Sequence, residues 1–202
     1  MNSKKKQLED VRISKRLSYL LRHGAVQEGL HINPDGFVPL RELLEKLPEC
    51  TIVDIRRIVS TNSKGRFTLV ESEDEGPQIK ANQGHSLASV NRLSLKEVSN
   101  PNFEIIHGTS FANWAQIKCR GLSRMRRNHI HFSKGLDSAR GLRSSAQVFI
   151  FIDYSKSSAD GIKFFESENG VVLSPGDACG VIETRYFSRV STRDNKILSI
   201  DN

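Results

Sequence analysis

Acidic residues are missing from one third of the second half of the chain. Between Glu104 and Asp137, Ile105 to Leu136 run without a single Asp or Glu, although the 202-residue sequence carries 23 acids. Val11 to Gln27 and Gly76 to Lys96 are also acid-free, and both contain Arg and His. The longest of these stretches holds Lys118, Arg120, Arg124, Arg126, Arg127 and Lys134 together with His107, His129 and His131. Cations with no carboxylate to neutralise them sustain a positive potential, which attracts an anion. The chemistry indicated is the handling of phosphates.

Other absences narrow the field. Cys50, Cys119 and Cys179 are odd in number and far apart, which excludes a disulfide framework or a zinc ribbon and makes them buried or inert thiols. No apolar run approaches the ~20 residues that span a bilayer. The N-terminal Met1-Asn2-Ser3-Lys4-Lys5-Lys6 leads into a basic amphipathic pattern instead of a signal-peptide core. A cytoplasmic or nuclear protein with no membrane partner is expected. There is no G-x-G-x-x-G after a strand and no G-x-x-x-x-G-K-[ST], so neither a Rossmann nor a P-loop nucleotide site is indicated. H-E-x-x-H, C-x-x-C and G-x-S-x-G are absent too. His129-x-His131 offers two ligands on one strand face but no third nearby, so no metal is expected.

What is present suits a nucleic-acid partner: a net charge of +7 and a pI near 9.5, with 37% hydrophobic and 26% charged residues. The length allows one good core or two small ones. Val11, Ile13, Leu17, Leu20 and Leu21 predict a helix over 8–23, with Gly24 as its stop. Asn33-Pro34-Asp35-Gly36 reads as a turn, followed by helices around Leu40–Leu47 and Ile52–Val59. Strands at 66–70 and 78–81 flank an acidic turn, Glu71 to Pro77. Three helices and a hairpin outline a winged-helix-like module. Ser99-Asn100-Pro101-Asn102 reads as a linker. Beyond it come strands near 103–107, 129–132, 148–153, 171–174 and 181–184, with a helix at Phe111–Arg120. The fold class is therefore α+β in two lobes, 1–95 and 96–202.

The remaining polar clusters each have an ordinary reading. Arg22 and His23 at a helix C-terminus complement the dipole, worth roughly 0.3–1 kcal/mol. Arg66 at a strand start suits a solvated charge, and Gln83-Gly84-His85-Ser86 an ordinary turn. His107-Gly108-Thr109 suits a strand end before a helix cap, and Arg143-Ser144-Ser145 an idle loop. Their order and spacing change the weighing. Leu20-Leu21-Arg22-His23-Gly24, the run from Ile79 to Ser86, His107-Gly108-Thr109, His129-x-His131 and Asn169-Gly170-Val171-Val172-Leu173 together resemble the RNA 2′-phosphotransferase family, over about residues 10 to 190.

The resemblance implies an N-terminal winged-helix-like RNA lobe and a C-terminal ADP-ribosyltransferase-like lobe that uses NAD as co-substrate. It implies that an internal 2′-phosphate of spliced tRNA is transferred to NAD, leaving 2′-OH RNA, nicotinamide and ADP-ribose 1″,2″-cyclic phosphate. By matched position, Arg22, His23, Arg66 and Arg143 are the implied catalytic set, with the arginines clamping the phosphate and His23 moving a proton. His107, Gly108, Thr109, Asn128, His129, Ile130, His131 and Ser133 are the implied NAD contacts. Lys80, Asn82, Gln83, His85 and Ser86 are the implied RNA contacts. Lys80 stands where the family commonly has Arg, which keeps the charge and loses the two-pronged fork. Val171 or Val172 takes the place of the Glu kept by protein-modifying relatives. A monomer acting on 2′-phosphorylated tRNA or RNA is the expectation. Two other outcomes share the same residues: a transferase that caps terminal nucleic-acid phosphates, and a catalytically silent RNA-binding module.

Overall fold

The computed structural model describes residues 3–72, 76–138 and 140–200. Helices and antiparallel sheets give an α+β chain of two compact units, Met1–Ser94 and Leu95–Asn202. No helix among the described residues is long and apolar enough to cross a membrane.

The first unit opens with α1 (Ser3–Tyr19), whose Ile13 and Leu17 face the core. The helix does not stop at Gly24 as the sequence predicts. It widens into a π-helical turn, Leu20–Gly24, and Ala25 is still helical. The reversal comes at Gly29, whose φ of +72° suits a residue without Cβ. Gly24 serves a close approach instead, since a Cβ there would lie 2.5 Å from Cε1 of Tyr19. A three-residue strand, β1 (Phe37–Pro39), follows the Asn33–Gly36 turn and is missed by sequence reading. α2 (Leu40–Glu45) and α3 (Ile52–Thr61) come next. Thr51 and Asp54 form a reciprocal capping box at the start of α3. Arg57 on α3 ties Asp54 to Asp10 of α1. β2 (Phe67–Ser72) and β3 (Gly76–Ala81) complete an antiparallel sheet in the order β1-β3-β2. The tip of the acidic turn, 73–75, lies outside the described residues. Leu17, Leu20, Leu21, Val38, Leu43, Ile55, Ile58, Phe67 and Ile79 form one core.

The second unit is built on seven antiparallel strands. In chain order they are β4 (Lys96–Glu97), β5 (Ile105–Thr109), β7 (Ile130–Lys134), β8 (Val148–Ile152), β9 (Phe165–Glu166), β10 (Val172–Ser174) and β12 (Phe187–Thr192). Their spatial order is β12-β8-β5-β7-β10-β9-β4. α4 (Phe111–Arg120) is capped by Ser110, and α5 (Tyr154–Ala159) by Asp153. β6 (Leu122–Ser123) pairs separately with β11 (Val181–Ile182). The expected linker, Ser99–Asn102, does not separate the units: it lies inside the second unit, just after β4, which pairs with β9 at the sheet edge, and after Val98, which bonds Phe164. β8 is buried on both faces. Val148, Ile150 and Ile152 face the larger core, while Phe149 and Phe151 pack with Ile106 and Ala146 on the other side. Alternation along the strand sends successive residues to two different cores, hence the unbroken apolar run.

Candidate functional site

In the first unit, Arg22 and His23 sit on the widened turn, a local geometry often found at functional positions. The 84–86 loop is laid against them. The Ser86 backbone N–H donates to the Arg22 carbonyl at 3.0 Å, and Ser86 Oγ lies 2.9 Å from Nδ1 of His23. Gly84, at φ +93°, brings bare backbone against Arg22, whose Nε would be 3.2 Å from a Cβ placed there. The leucines that bury this turn thus fix the Arg22 and His23 side chains, and the glycine loop sets their surroundings.

Arg66 is held by its backbone. Asn62 Oδ1 accepts from the Arg66 N–H at 3.3 Å, and the Arg66 carbonyl accepts from the Asn82 N–H at 2.9 Å. The Asn82 side chain donates to the Gly65 carbonyl at 2.9 Å and accepts from the Thr68 hydroxyl at 2.7 Å. Asn82 is only 7% exposed, so its amide is committed to the chain around Arg66. Lys80 and His85 are likewise withdrawn, at 5% and 1% exposure. Lys80 Nζ stands 4.8 Å from the Phe37 ring centre, and the His85 ring packs against Gly36. Of the five expected RNA contacts, only Gln83 and Ser86 are half-exposed. The polar character of this run signals buried organisation as much as a surface.

In the second unit, His107 lies on β5, and the loop of Arg143 leads into the adjoining strand β8. His107 Nδ1 donates to the His131 carbonyl at 2.9 Å, which fixes its tautomer. Burial pushes the His107 imidazole below its ordinary pKa. The His131 carbonyl opposes that shift, and the charges of Arg143 and Arg127 reinforce it. His129 is also lowered, by burial and by Arg124. The Arg143 loop is seated at several points. A Cβ on Gly108 would lie 2.7 Å from Leu142 Cδ2 and 3.0 Å from the Ala146 Cβ; one on Gly141 would lie 2.6 Å from the Phe132 carbonyl oxygen. Arg140 donates to the Asn169 carbonyl at 3.0 Å, and Arg193 to the Ser144 and Ala146 carbonyls at 2.6 and 3.0 Å. Sequence reading missed Arg140, Arg193 and Asn62, since a brace and a solvated side chain look alike in one dimension.

Other expected cofactor residues separate by burial. Ile130 points into the core, and the Ser133 hydroxyl donates to the Gly135 carbonyl at 2.9 Å. Thr109 is buried, and Asn128 and His131 are half-exposed. Among the described residues no group of three or more His, Cys, Asp or Glu could hold a metal ion. Burial pushes the Cys50 thiol up to about 11, with Glu49 and Asp54 adding to the shift, while Cys119 and Cys179 are exposed.

Gly141→Ala is expected to unseat the Arg143 loop. At φ +87° and against the backbone of β7, the added methyl strains the chain by about 1–3 kcal/mol. Thermal unfolding should show the loss of stability. An unchanged melting temperature would contradict this packing.

These two cation-bearing units belong to a class of transferases that act on RNA phosphate. The family model described as RNA 2′-phosphotransferase, Tpt1/KptA family, matches residues 8–176, and the chain belongs to that family. It is 47% identical over 191 residues to tRNA 2′-phosphotransferase 1 of Danio rerio, covering 89% of this chain and 84% of the relative. The human protein of that name is 43% identical over 194 residues, covering 91% and 76%. The tRNA 2′-phosphotransferase of Saccharomyces cerevisiae is 42% identical over 184 residues, covering 84% and 80%.

Proposed function

We propose that this enzyme transfers the internal 2′-phosphate of spliced tRNA to NAD, releasing 2′-OH RNA, nicotinamide and ADP-ribose 1″,2″-cyclic phosphate. The observation that carries the reading is the family match over residues 8–176, which contains every residue assigned below. The first unit is taken as a winged-helix-like RNA lobe and the second as an ADP-ribosyltransferase-like lobe.

In the first step an oxygen of the 2′-phosphate attacks C1″ of the nicotinamide ribose, and nicotinamide leaves with the electrons of the broken C–N bond. The nucleophile is already an anion, so the protein needs no activated Ser or Cys. By matched position Arg22, Arg66 and Arg143 are assigned to it, with guanidinium forks suited to bidentate phosphate contacts. In the second step the ribose 2″-OH attacks phosphorus, and the RNA 2′-oxygen leaves and takes up a proton. His23, oriented by Ser86, accepts the 2″-OH proton. The work is otherwise positioning and charge stabilisation.

The second unit suits a dinucleotide: among the described residues, neither the Arg127 nor the Arg143 guanidinium has a carboxylate partner, and His107 is held in one tautomer. His107, Gly108, Thr109, Asn128, His129 and His131 are assigned to NAD contacts. Gln83 and Ser86 are the RNA contacts retained, with Lys80, Asn82 and His85 supporting them from beneath. The reaction is assigned to a monomer in the cytoplasm or nucleus.

The test offers NAD with oligonucleotides carrying either an internal 2′-phosphate or a 5′-terminal phosphate. The expected products are nicotinamide and 2′-OH RNA from the first substrate. A stable ADP-ribosylated 5′-phosphate with no 2′-dephosphorylation would indicate a capping enzyme. Binding without turnover of either would indicate a silent RNA-binding module.

A further inference from the structure

The turn that carries Arg143 has little apolar support. Arg143, Ser144, Ser145 and Gln147 are exposed, Leu142 is half-buried, and only Ala146 is buried. A segment with so few buried apolar contacts opens easily unless polar ties hold it. Ahead of Arg143, Arg140 fixes the loop to the Asn169 carbonyl. Behind it, the Ala146 N–H donates to the Arg143 carbonyl at 3.0 Å and closes the turn. The Gln147 N–H donates to the Thr109 carbonyl at 2.8 Å, and Gln147 Oε1 accepts from the Phe111 N–H at 3.3 Å, which ties the turn to the end of β5. The last tie is Arg193. Its Nη2 donates to the Ser144 carbonyl at 2.6 Å and to the Ala146 carbonyl at 3.0 Å, and its Nε to the Ala146 carbonyl at 3.3 Å.

Strand register puts Arg193 in reach. β12 and β8 are antiparallel with Thr192 opposite Val148, so the residue after β12 falls beside the residue before β8. A tight turn keeps it there. The Thr192 N–H donates to the Lys196 carbonyl at 2.9 Å and the Asn195 N–H to the Thr192 carbonyl at 3.1 Å, with Asn195 at φ +61°. Arg193 is exposed, yet two of its nitrogens are aimed at carbonyls. Among the described residues it has no carboxylate partner, although Asp194 follows it. A cationic donor makes a stronger hydrogen bond to a carbonyl than a neutral one does. One planar fork spanning two carbonyls also fixes their separation.

We propose that Arg193 is a positioning residue for the transfer: by holding the Ser144 and Ala146 carbonyls, it sets the turn from which the Arg143 guanidinium is presented. The inference rests on the phosphate role assigned to Arg143 above. It makes the reaction depend on a side chain that lies beyond residues 8–176, the span of the family match. Arg193 touches neither RNA nor dinucleotide in this account and acts through Arg143 alone. Its removal therefore leaves Arg143 in place and lets its guanidinium drift from the phosphate.

The test compares the wild type with Arg193→Met, Arg193→Lys and Lys196→Met, which removes an exposed charge from the same turn. Single-turnover rates are measured with NAD and a 2′-phosphorylated oligonucleotide, in the native background and in Arg143→Ala. In the native background Arg193→Met should lower kcat/KM for the oligonucleotide by roughly 10- to 100-fold, the cost of misplacing a catalytic group by about 1 Å. The KM for NAD should hold. Arg193→Lys, which keeps the charge and loses the fork, should fall between, and Lys196→Met should match the wild type. In Arg143→Ala, adding Arg193→Met should cost little more, because both act through one group. Should Arg193→Met not fold, Arg193→Lys carries the same comparison. Wild-type kcat/KM in Arg193→Met overturns the inference. So does an equal loss in both backgrounds, which would mark Arg193 as a general prop of the fold. If Arg143→Ala alone keeps wild-type activity, the role assigned to Arg143 falls and takes this inference with it.

Discussion

His23→Ala should stall the reaction halfway, with ADP-ribosylated 2′-phospho-RNA accumulating while nicotinamide is still released. In the proposed reaction the first step needs no protein base, because the attacking atom is a phosphate oxygen. The second needs a proton removed from the ribose 2″-OH, and a positioned imidazole typically contributes about 10²–10⁴-fold to such a transfer. The proposal gives His23 that task, and the π-helical turn and Ser86 Oγ, 2.9 Å from its Nδ1, hold the ring. Single-turnover analysis with separated products measures each step. The second should fall by about that factor and the first by far less. Equal loss in both steps would remove the assigned role and leave His23 as a general phosphate-site residue.

Asn82→Ala should cost nearly as much activity as losing Arg66, although Asn82 makes no direct RNA contact in this account. Its amide bonds Gly65 and Thr68, and its backbone bonds Arg66. Removing the side chain breaks its part-buried hydrogen bonds with the Gly65 carbonyl and the Thr68 hydroxyl, worth about 0.5–1.5 kcal/mol each. Freed backbone at Gly65 lets the guanidinium of Arg66 wander, and turnover should drop roughly 10- to 100-fold, on the order of the effect of misplacing a catalytic group. A double-mutant cycle separates positioning from contact: Asn82→Ala should add little to Arg66→Ala, because both act through one group. Additive losses would show that Asn82 touches RNA independently.

The asymmetry between these residues explains what could be read from the sequence. α4 was legible from Phe111 to Arg120 because its apolar spacing is clear and Gly121 ends it. β8 was legible as a run of large apolar residues. β12 was not, because Ser188 and Arg189 interrupt its pattern, and Arg189 lays its guanidinium 3.7 Å from the Phe151 ring centre where an apolar residue would be expected. Burial through an arginine stem leaves no hydrophobic signal. β1 is three residues long and ends in proline, too short for periodicity. At the candidate site, Arg22 and His23 read as a helix C-terminus and lie instead on a π-helical turn that continues into Ala25, while Arg66 stands just before β2, where a strand start was expected. The roles of their polar neighbours were not legible, since Lys80, Asn82 and His85 form a buried layer that composition alone presents as surface. Likewise Arg124 and Arg127 are equivalent letters, but among the described residues the Arg124 guanidinium closes on a carbonyl while that of Arg127 has no protein acceptor.

The central claim is that phosphate moves from RNA to a ribose. The most direct measurement follows a ³²P label placed on an internal 2′-phosphate after incubation with NAD. The account predicts that the label leaves RNA only when NAD is present and is recovered in ADP-ribose 1″,2″-cyclic phosphate. Label recovered as inorganic phosphate, or released without NAD, would contradict it.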